Sequence, residues 1–263
     1  MTKSLVSALA LTTLMSSSAF AFNIDGNVAD WGVTQTGSSS AWNPTTGLVA
    51  GYAVEDQHDN YLSPGYGGQA YDAEALYIAY DSSNLYIALA TGHNPLMGTS
   101  GGPSGYAAGD FAIDFGKNGS WDFGVETTGS NGMTQGHVYS NVNWMLGQAY
   151  PSSAHPASIL GGTDVGAGSV VYTTTPATGY GSWTGDQHYF YEVSVPLTAF
   201  GNNWANNNEF TVHWTMNCAN DAIQASAAIN GAGGNNLPEP GTLTLLPLGL
   251  IGIAALRRNR KTA

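Results

Sequence analysis

Carboxylates that face one another across a predicted hairpin are the first sign of chemistry in this chain. Segment 110–126 alternates like a β-hairpin, and the register that keeps its apolar face together pairs Phe115 with Trp121, Ile113 with Phe123 and Phe111 with Val125. That register sets Asp114 opposite Asp122 and Asp110 opposite Glu126 on the other face. Opposed like charges destabilise a sheet, and carboxylate oxygens are the ligands that calcium prefers. The pattern predicts a structural calcium site. The alternative is a hydrated outer face, where water screens the repulsion.

Two further acidic stretches add oxygen donors to the predicted calcium ligands. One is the loop that contains Glu55, Asp56 and Asp59, and the other is the pair Asp72 and Glu74. The pair also has the residue types of a glycosidase dyad, whose chemistry is decided by the distance between the two carboxyls. The spacing in sequence leaves that distance open.

Nucleophilic catalysis has one matching pattern, Gly98-Thr99-Ser100-Gly101-Gly102. A G-x-S-x-G motif needs a strand before it and a helix after it, and here it lies in a loop that no helical sequence follows. The six histidines lack the spacing of a zinc site, and we expect them at the surface or in loops. We therefore predict that the protein is not an enzyme. A small secreted hydrolase or lyase acting on glycans is the alternative.

The seven tryptophans divide into two groups. Trp31, Trp121 and Trp214 alternate with core positions, so we expect them in the core. The other four lie in or beside polar loops and are Trp42, Trp144, Trp183 and Trp204. Aromatic faces stack on sugar rings, and neighbouring Asn, Asp and Gln side chains bond hydroxyl groups. We predict that these four contact a polysaccharide, with anchoring of their own loops as the alternative.

Short alternating strands between Gly-, Asn- and Ser-rich loops must position these residues. The clearest hairpin spans 76–91, with predicted pairs Tyr80–Leu85, Ile78–Ile87 and Leu76–Leu89. Further strands are predicted over 22–26, 188–195 and 209–215, and a loop over 34–51. The pattern predicts an all-β fold, a single antiparallel β-sandwich of jelly-roll type.

The net charge of segment 22–236 excludes several classes of binding partner. Of the 18 acids only Glu239 lies outside the segment 22–236, and of the six cations only Lys117 lies inside it. Seventeen acids against one lysine give this segment a net charge of −16 with histidine neutral. Such a surface repels nucleic acid and anionic lipid and suits divalent cations or neutral ligands. The single cysteine, Cys218, excludes an intramolecular disulfide and reads as a small buried side chain.

The first 21 residues have the features of a secretory signal peptide. Lys3 is followed by the apolar stretch 5–15, and the segment ends with small residues at Ala19 and Ala21. Signal peptidase requires small residues at these two positions, which predicts a signal helix over 1–21 that is cleaved before Phe22.

The C-terminus has three parts in a fixed order. The motif Pro238-Glu239-Pro240 precedes the apolar run 241–256, and the basic tail consists of Arg257, Arg258, Arg260 and Lys261. The run would form a helix of roughly 24 Å, a little short for a bilayer core, and the cations would hold the tail on the cytoplasmic side. This order resembles the PEP-CTERM sorting signal of Gram-negative bacteria, which exosortases recognise. The resemblance implies export, exosortase processing at the motif, a transient anchor in the inner membrane and a link to exopolysaccharide production.

The segment before this tail carries a second resemblance. Ile24-Asp25-Gly26 with Asp30-Trp31, followed by the strands over 72–77 and 84–87, resembles the opening of DOMON-like domains and family 9 carbohydrate-binding modules. These are extracellular β-sandwiches that bind sugars, haem or no identified ligand. The resemblance implies the same fold. Haem would need an axial Met and His pair, and the sequence places none.

Taken together, the sequence predicts four segments: a signal peptide (1–21), a β-sandwich domain (22–229), a Gly/Asn linker (230–236) and a sorting signal (237–263). The predicted protein is a non-enzymatic component of the cell surface or extracellular matrix that associates with or binds exopolysaccharide. Its expected partners are signal peptidase, exosortase, exopolysaccharide and, transiently, the inner membrane. A purely structural sheath or biofilm protein is a further alternative.

Overall fold

Eleven β-strands dominate the part of the chain that the computed structural model describes, namely residues 22–56, 67–98, 105–147 and 155–229. In chain order they are β1 (Gly51–Val54), β2 (Ala73–Tyr80), β3 (Asn84–Thr91), β4 (Phe111–Phe115), β5 (Phe123–Val125), β6 (His137–Leu146), β7 (Pro156–Ala167), β8 (Ser169–Tyr172), β9 (Tyr189–Pro196), β10 (Glu209–Thr215) and β11 (Ala222–Ala228). The helical elements in the same ranges are α1 (Asn202–Asn206) and three 3-10 turns, Ser39–Trp42, Gln69–Tyr71 and Leu197–Phe200.

The strands form two antiparallel sheets. Sheet A has the order β1-β2-β3-β9-β8, and sheet B has the order β11-β10-β4-β5-β6-β7. Because side chains alternate between the faces of a strand, each sheet turns one apolar row towards the other. The rows meet in a core that includes Leu76, Ile78, Ile87, Phe111, Phe115, Val193, Phe210 and Trp214. The predicted all-β fold of two packed antiparallel sheets is confirmed.

The two predicted hairpins differ in how far their registers hold. In β2–β3 the pairs Tyr80–Leu85, Ile78–Ile87 and Leu76–Leu89 all form as predicted. In β4–β5 the pairs Phe111–Val125 and Ile113–Phe123 form as predicted. The predicted pair Phe115–Trp121 does not form, because β5 begins at Phe123. The prediction that Trp121 lies in the core is wrong. Its indole is half-buried against the His213 ring, with the ring centroids 5.2 Å apart.

The outer face of sheet A is covered by the N-terminal segment, residues 22–50. Its Phe22, Trp31 and Trp42 side chains pack with Val28 and Val33 on the alternate residues of β2 and β3. All eight residues of β2 are therefore buried. The predicted strand over 22–26 is wrong, because this segment crosses the sheet without joining a ladder.

One glutamate of sheet A fixes that segment. Glu192 lies in the middle of β9 and is fully buried. Its Oε2 accepts hydrogen bonds from the backbone N–H groups of Asp25 (3.0 Å) and Gly26 (2.6 Å), and its Oε1 accepts one from Trp31 Nε1 at 2.8 Å. A single carboxylate thus joins residues more than 160 positions apart in sequence.

The β6–β7 hairpin curls over the outer face of sheet B. Its ladder contains several register shifts, and bulges of this kind bend and twist a strand pair. A Cβ atom at Gly124 would lie 2.8 Å from both Ile159 Cδ1 and Trp144 Cη2. Gly124 therefore lets these two side chains lie directly on the backbone of β5.

The predicted targeting segments lie outside the described residues: the signal helix, the linker and the apolar run near the C-terminus. No helix in the described ranges is both long and apolar enough to cross a bilayer. Cys218 is buried, as predicted.

Candidate functional site

Four carboxyl groups gather where the two sheets meet at one end of the sandwich. They belong to Glu55, Asp72, Glu74 and Asp221. The Glu55 N–H donates to the Glu74 carbonyl at 2.8 Å, and Asp221, in the β10–β11 turn, accepts the Ala73 N–H at 2.6 Å. These two bonds bring the end of β1 and an edge of sheet B to the start of β2. We call this group of four the acid cluster.

A β-bulge at the start of β2 positions Glu74. The ladder with β3 shifts between Ala73 and Ala75, so Glu74 is the extra residue. Bulges re-aim a side chain and recur beside functional sites. Glu74 Oε1 accepts from His188 Nε2 and from Gln69 Nε2, both at 3.0 Å.

Burial sets the protonation of the acid cluster. It raises the pKa of Glu55 to about 8, and the nearby charges of Asp221 and Glu74 add to the shift. Burial also raises the pKa of Asp72 well above its usual range, and the nearby charge of Glu74 raises it further. The Asp72 and Asp221 carboxyls are in contact, and Asp221 accepts the N–H groups of Ala73 and Ala222. These donors favour the ionised form of Asp221, and the adjacent Asp221 carboxylate favours the protonated form of Asp72.

A cleft of about 470 Å³ opens beside the acid cluster, between the loop after β3 and the start of β9. Among the residues that the structure describes, its polar lining is formed by the amides of Gln69, Asn94 and Gln187 and the carboxyl of Asp186. Met97 and Tyr189 provide apolar surface. Gln69 separates the cleft from Glu74, because its Nε2 bonds both the Glu74 carboxylate and the Gln187 carbonyl.

The structure places the predicted hairpin carboxylates in two separate pairs that use backbone donors. Asp114 accepts the N–H groups of Asn118 (3.1 Å) and Gly119 (2.7 Å), and Asp122 accepts the N–H of Phe115 at 2.8 Å. These bonds close the β4–β5 turn. The same bonds stabilise the two carboxylates.

The second pair is buried, so the alternative of a hydrated outer face is wrong for Asp110 and Glu126. Asp110 accepts the N–H groups of Thr127 and Ile159, each at 2.8 Å. Burial raises the pKa of Asp110, and the charge of Glu126 raises it further. The first residues of β7 cover this pair, which the alternation of β4 alone did not indicate.

The remaining predicted metal ligands have other roles or positions. Asp56 accepts from Trp42 Nε1 at 2.9 Å and from Ser182 Oγ at 2.7 Å, and so ties two loops together. Asp59 lies outside the described residues, as does Ser100 of the G-x-S-x-G pattern. Within the described ranges, no group of three or more His, Cys, Asp or Glu side chains is arranged to hold a metal ion. The calcium site stays a prediction.

The four loop tryptophans do not form one sugar-binding surface. Trp42 is fully buried over sheet A, where it cannot stack on a ligand from solvent. Trp204 packs against Tyr80 and Phe210 beside the core between the sheets. Trp144 lies on Gly124, and Trp183 is 44% exposed in the loop before β9.

Histidine placement differs from the sequence-based expectation. His93, His188 and His213 are buried. The His213 ring stacks on His155 with the centroids 5.0 Å apart. Burial lowers the pKa of His213 to about 3, with a further contribution from His155, while the nearby Pro156 carbonyl opposes the shift.

Sequence reasoning missed the residues that line the cleft. Gln69, Asn94 and Gln187 lie in polar loops that have no spacing signal. The position of Gln187-His188 immediately before a strand was the one available indication, because strand ends commonly carry site residues.

The fold is a β-protein of two packed sheets, with a cleft large enough for a small ligand and lined in part by the Asp186 carboxyl. The sequence continues into a C-terminal sorting signal. Residues 236–261 match the PEP-CTERM protein-sorting motif. The predicted sorting signal is confirmed, and it marks an exported, exosortase-processed protein directed to the cell surface. No curated protein is significantly similar to the chain. The resemblance to DOMON-like domains stays a prediction.

Proposed function

We propose that this protein is a non-enzymatic component of the cell surface or extracellular matrix that binds exopolysaccharide in the cleft beside β2 and β9. The polar lining of the cleft carries the proposal. The side chains of Gln69, Asn94 and Gln187 each contain a donor and an acceptor, which is the pairing that sugar hydroxyls require.

The size and composition of the cleft support a carbohydrate ligand. Its volume of about 470 Å³ falls within the range of about 300–1,000 Å³ that small-molecule sites occupy. Met97 and Tyr189 add an apolar patch of the kind that contacts the C–H face of a sugar ring. The ligand would be a short run of sugar units within a longer chain.

Burial of the carboxylates argues for binding rather than hydrolysis. Asp72 and Glu74 are each about 1% exposed, and the Gln69 amide stands between Glu74 and the cleft. A glycosidase needs two carboxyls that reach the scissile bond. A glycan-acting hydrolase or lyase remains the second candidate because Glu55 has the raised pKa of a general acid.

A glycan array probed with the exported protein tests this proposal. We expect binding to at least one class of bacterial exopolysaccharide. The variant Gln187→Ala should weaken that binding by about tenfold, equivalent to one hydrogen bond of about 1.4 kcal/mol. The matched control is Gln224→Ala, because Gln224 is exposed on β11 in the other sheet. Its binding should equal that of the unmodified protein.

Two outcomes would overturn the proposal: no binding to any glycan, or equal loss of binding in both variants. An assay of reducing-sugar release on the bound glycans separates the two candidate functions. Release that is abolished by Glu55→Gln would establish the hydrolase instead.

A further inference from the structure

We propose that the glycan in the cleft is an extended chain of sugar rings with equatorial hydroxyl groups, and that Trp183 stacks on the part of the chain that leaves the cleft. This inference rests on the glycan-binding function proposed above. It names a class of glycan and a residue outside the cleft lining that would select it. Two exposed apolar side chains at the rim of the cleft carry the inference.

A tight turn places Trp183 at this rim. The Asp186 N–H donates to the Trp183 carbonyl at 2.9 Å, which closes the turn 183–186 and holds its ends within about 7 Å of each other. Gly185 and Asp186 of this turn line the cleft, as does the next residue, Gln187. The Trp183 side chain is 44% exposed. A partly exposed indole therefore begins the turn that forms one wall of the cleft.

A second turn forms the other wall and also carries an exposed apolar side chain. The Met97 N–H donates to the Asn94 carbonyl and the Leu96 N–H donates to Asn94 Oδ1, both at 2.9 Å. Asn94 and Met97 line the cleft, while Leu96 between them is 36% exposed. Exposed apolar surface that is rimmed by polar residues marks ligand-binding grooves. We call Leu96 and Trp183 the rim pair.

The position of the rim pair beside the cleft indicates a ligand that is longer than the cleft. A short glycan that fills only the cleft leaves both side chains exposed. A chain that enters past one turn and leaves past the other removes their apolar surface from water, which favours binding. Sugar units beyond the cleft should therefore add affinity until the rim pair is covered.

The chemistry of an indole face selects the stereochemistry of the sugar. A glucose ring, whose hydroxyl groups are all equatorial, exposes axial C–H bonds on both faces, and these can pack against an aromatic ring. The axial hydroxyl of mannose interrupts one face and would lose water against the indole without gaining a hydrogen bond. Equatorial hydroxyls lie around the edge of the ring, where the amides of Gln69, Asn94 and Gln187 can bond them.

Titration calorimetry with oligosaccharides of defined length tests the inference. The probes are cellotriose, cellohexaose and a mannohexaose of the same β linkage, each titrated into the exported protein. We expect cellohexaose to bind at least about tenfold tighter than cellotriose, because only the longer chain covers the rim pair. Mannohexaose should bind at least about tenfold more weakly than cellohexaose.

Substitutions at Trp183 separate stacking from a change in the turn. Trp183→Ala should weaken binding of cellohexaose by about tenfold and leave binding of cellotriose unchanged. Trp183→Phe keeps an aromatic face and should retain most of the affinity for cellohexaose. The matched control is Tyr52→Ala, because Tyr52 is a 49% exposed aromatic residue on β1, outside the cleft lining and both rim turns. This control should bind every probe like the unmodified protein.

The outcomes distinguish this inference from the function beneath it. Equal affinity for the two cello-oligosaccharides, or unchanged cellohexaose binding by Trp183→Ala, would overturn the inference and leave glycan binding intact. The same holds if Trp183→Ala weakens both lengths equally, or if Tyr52→Ala matches its effect. Binding of other glycans on the array without binding of cellohexaose would overturn the assigned class of glycan. Failure of the whole array would overturn the glycan-binding function itself.

Discussion

Glu192 shows how much one buried carboxyl does for this fold. Its oxygens accept the N–H groups of Asp25, Gly26 and Asn27 and the indole N–H of Trp31. A buried donor left without a partner costs about 1–3 kcal/mol. The substitution Glu192→Ala should therefore lower the free energy of unfolding by about 3–5 kcal/mol.

Urea denaturation measures that loss as a shift in midpoint. The matched control is Glu209→Ala, because Glu209 is an exposed glutamate in a surface ion pair. It should change the free energy of unfolding by no more than about 0.5 kcal/mol. A loss for Glu192→Ala as small as that of the control would show that the N-terminal segment is held by packing alone.

The raised pKa values of two buried glutamates predict how the stability of the fold depends on pH. Burial raises the pKa of Glu192 to about 7 and that of Glu55 to about 8, against an ordinary value of 4.5. The folded state therefore keeps protons that the unfolded chain has already released. Their contribution to stability is complete below the unfolded pKa and is lost as pH rises through the folded values. Buried His213, whose pKa is lowered, opposes this trend below the ordinary histidine pKa of about 6.5, so the melting temperature should fall between about pH 7 and pH 9.

The variant Glu55→Gln checks the origin of that slope. It should flatten the upper part of the curve, while Glu209→Gln should reproduce the unmodified profile. A melting temperature that rises with pH over this range would contradict the assigned direction of both shifts.

At the residue scale, sequence alone could not identify the buried polar groups. Alternation places Asp110 and His213 on the face opposite to Phe111 and Trp214, where the sequence predicts a calcium ligand at Asp110 and a surface or loop position for His213. The β6–β7 hairpin covers that face. Its long-range contacts, such as Ile159 N–H with Asp110 Oδ2 at 2.8 Å, have no local signature.

At the scale of the elements, the clearest sequence signal for a strand was a large apolar residue at every second position. This signal predicted β2, β3, β4, β5 and β10 and, within one residue at each end, β9. The strands β1, β6, β7, β8 and β11 were missed. β7 and β11 are rich in Gly, Ala and Ser, and β1 and β8 are only four residues long. β6 and β7 also contain register shifts, so period-two alternation did not mark them.

Gly92 lets two elements approach closely enough to form the cleft. A Cβ atom at this position would lie only 1.7 Å from the Gln69 carbonyl oxygen. The substitution Gly92→Ala must push the Gln69–Tyr71 turn away from β3. We expect a loss of about 1–3 kcal/mol in the free energy of unfolding and loss of glycan binding.

Gly161→Ala is the matched control for that experiment. It lies on β7, and an added Cβ would meet no atom within 4 Å. Its stability should be unchanged or slightly higher, because alanine reduces the entropy of the unfolded chain. Thermal melts and the glycan titration compare the two variants directly. Unimpaired binding by Gly92→Ala would show that the Gln69 turn does not form the site.

For the whole molecule, processing at both ends is the clearest prediction. Mass spectrometry of the protein from exosortase-containing cells should find an N-terminus at Phe22 and a C-terminus close to Pro238–Pro240. Residues 257–261 should be absent. Protein from cells without exosortase is the control and should keep Ala263. A mature protein that retains either Lys3 or Ala263 in exosortase-containing cells would contradict the processing scheme.

The hydrogen bonds between Glu192 and the N-terminal segment also restrict the order in which the molecule can fold. A chain exported from its N-terminus delivers residues 22–31 first, yet their acceptor follows about 160 positions later. Contacts so distant in sequence close slowly. The outer layer of sheet A can dock only when β9 has emerged. Residues 22–31 therefore cannot complete their native contacts until most of the domain has crossed the membrane.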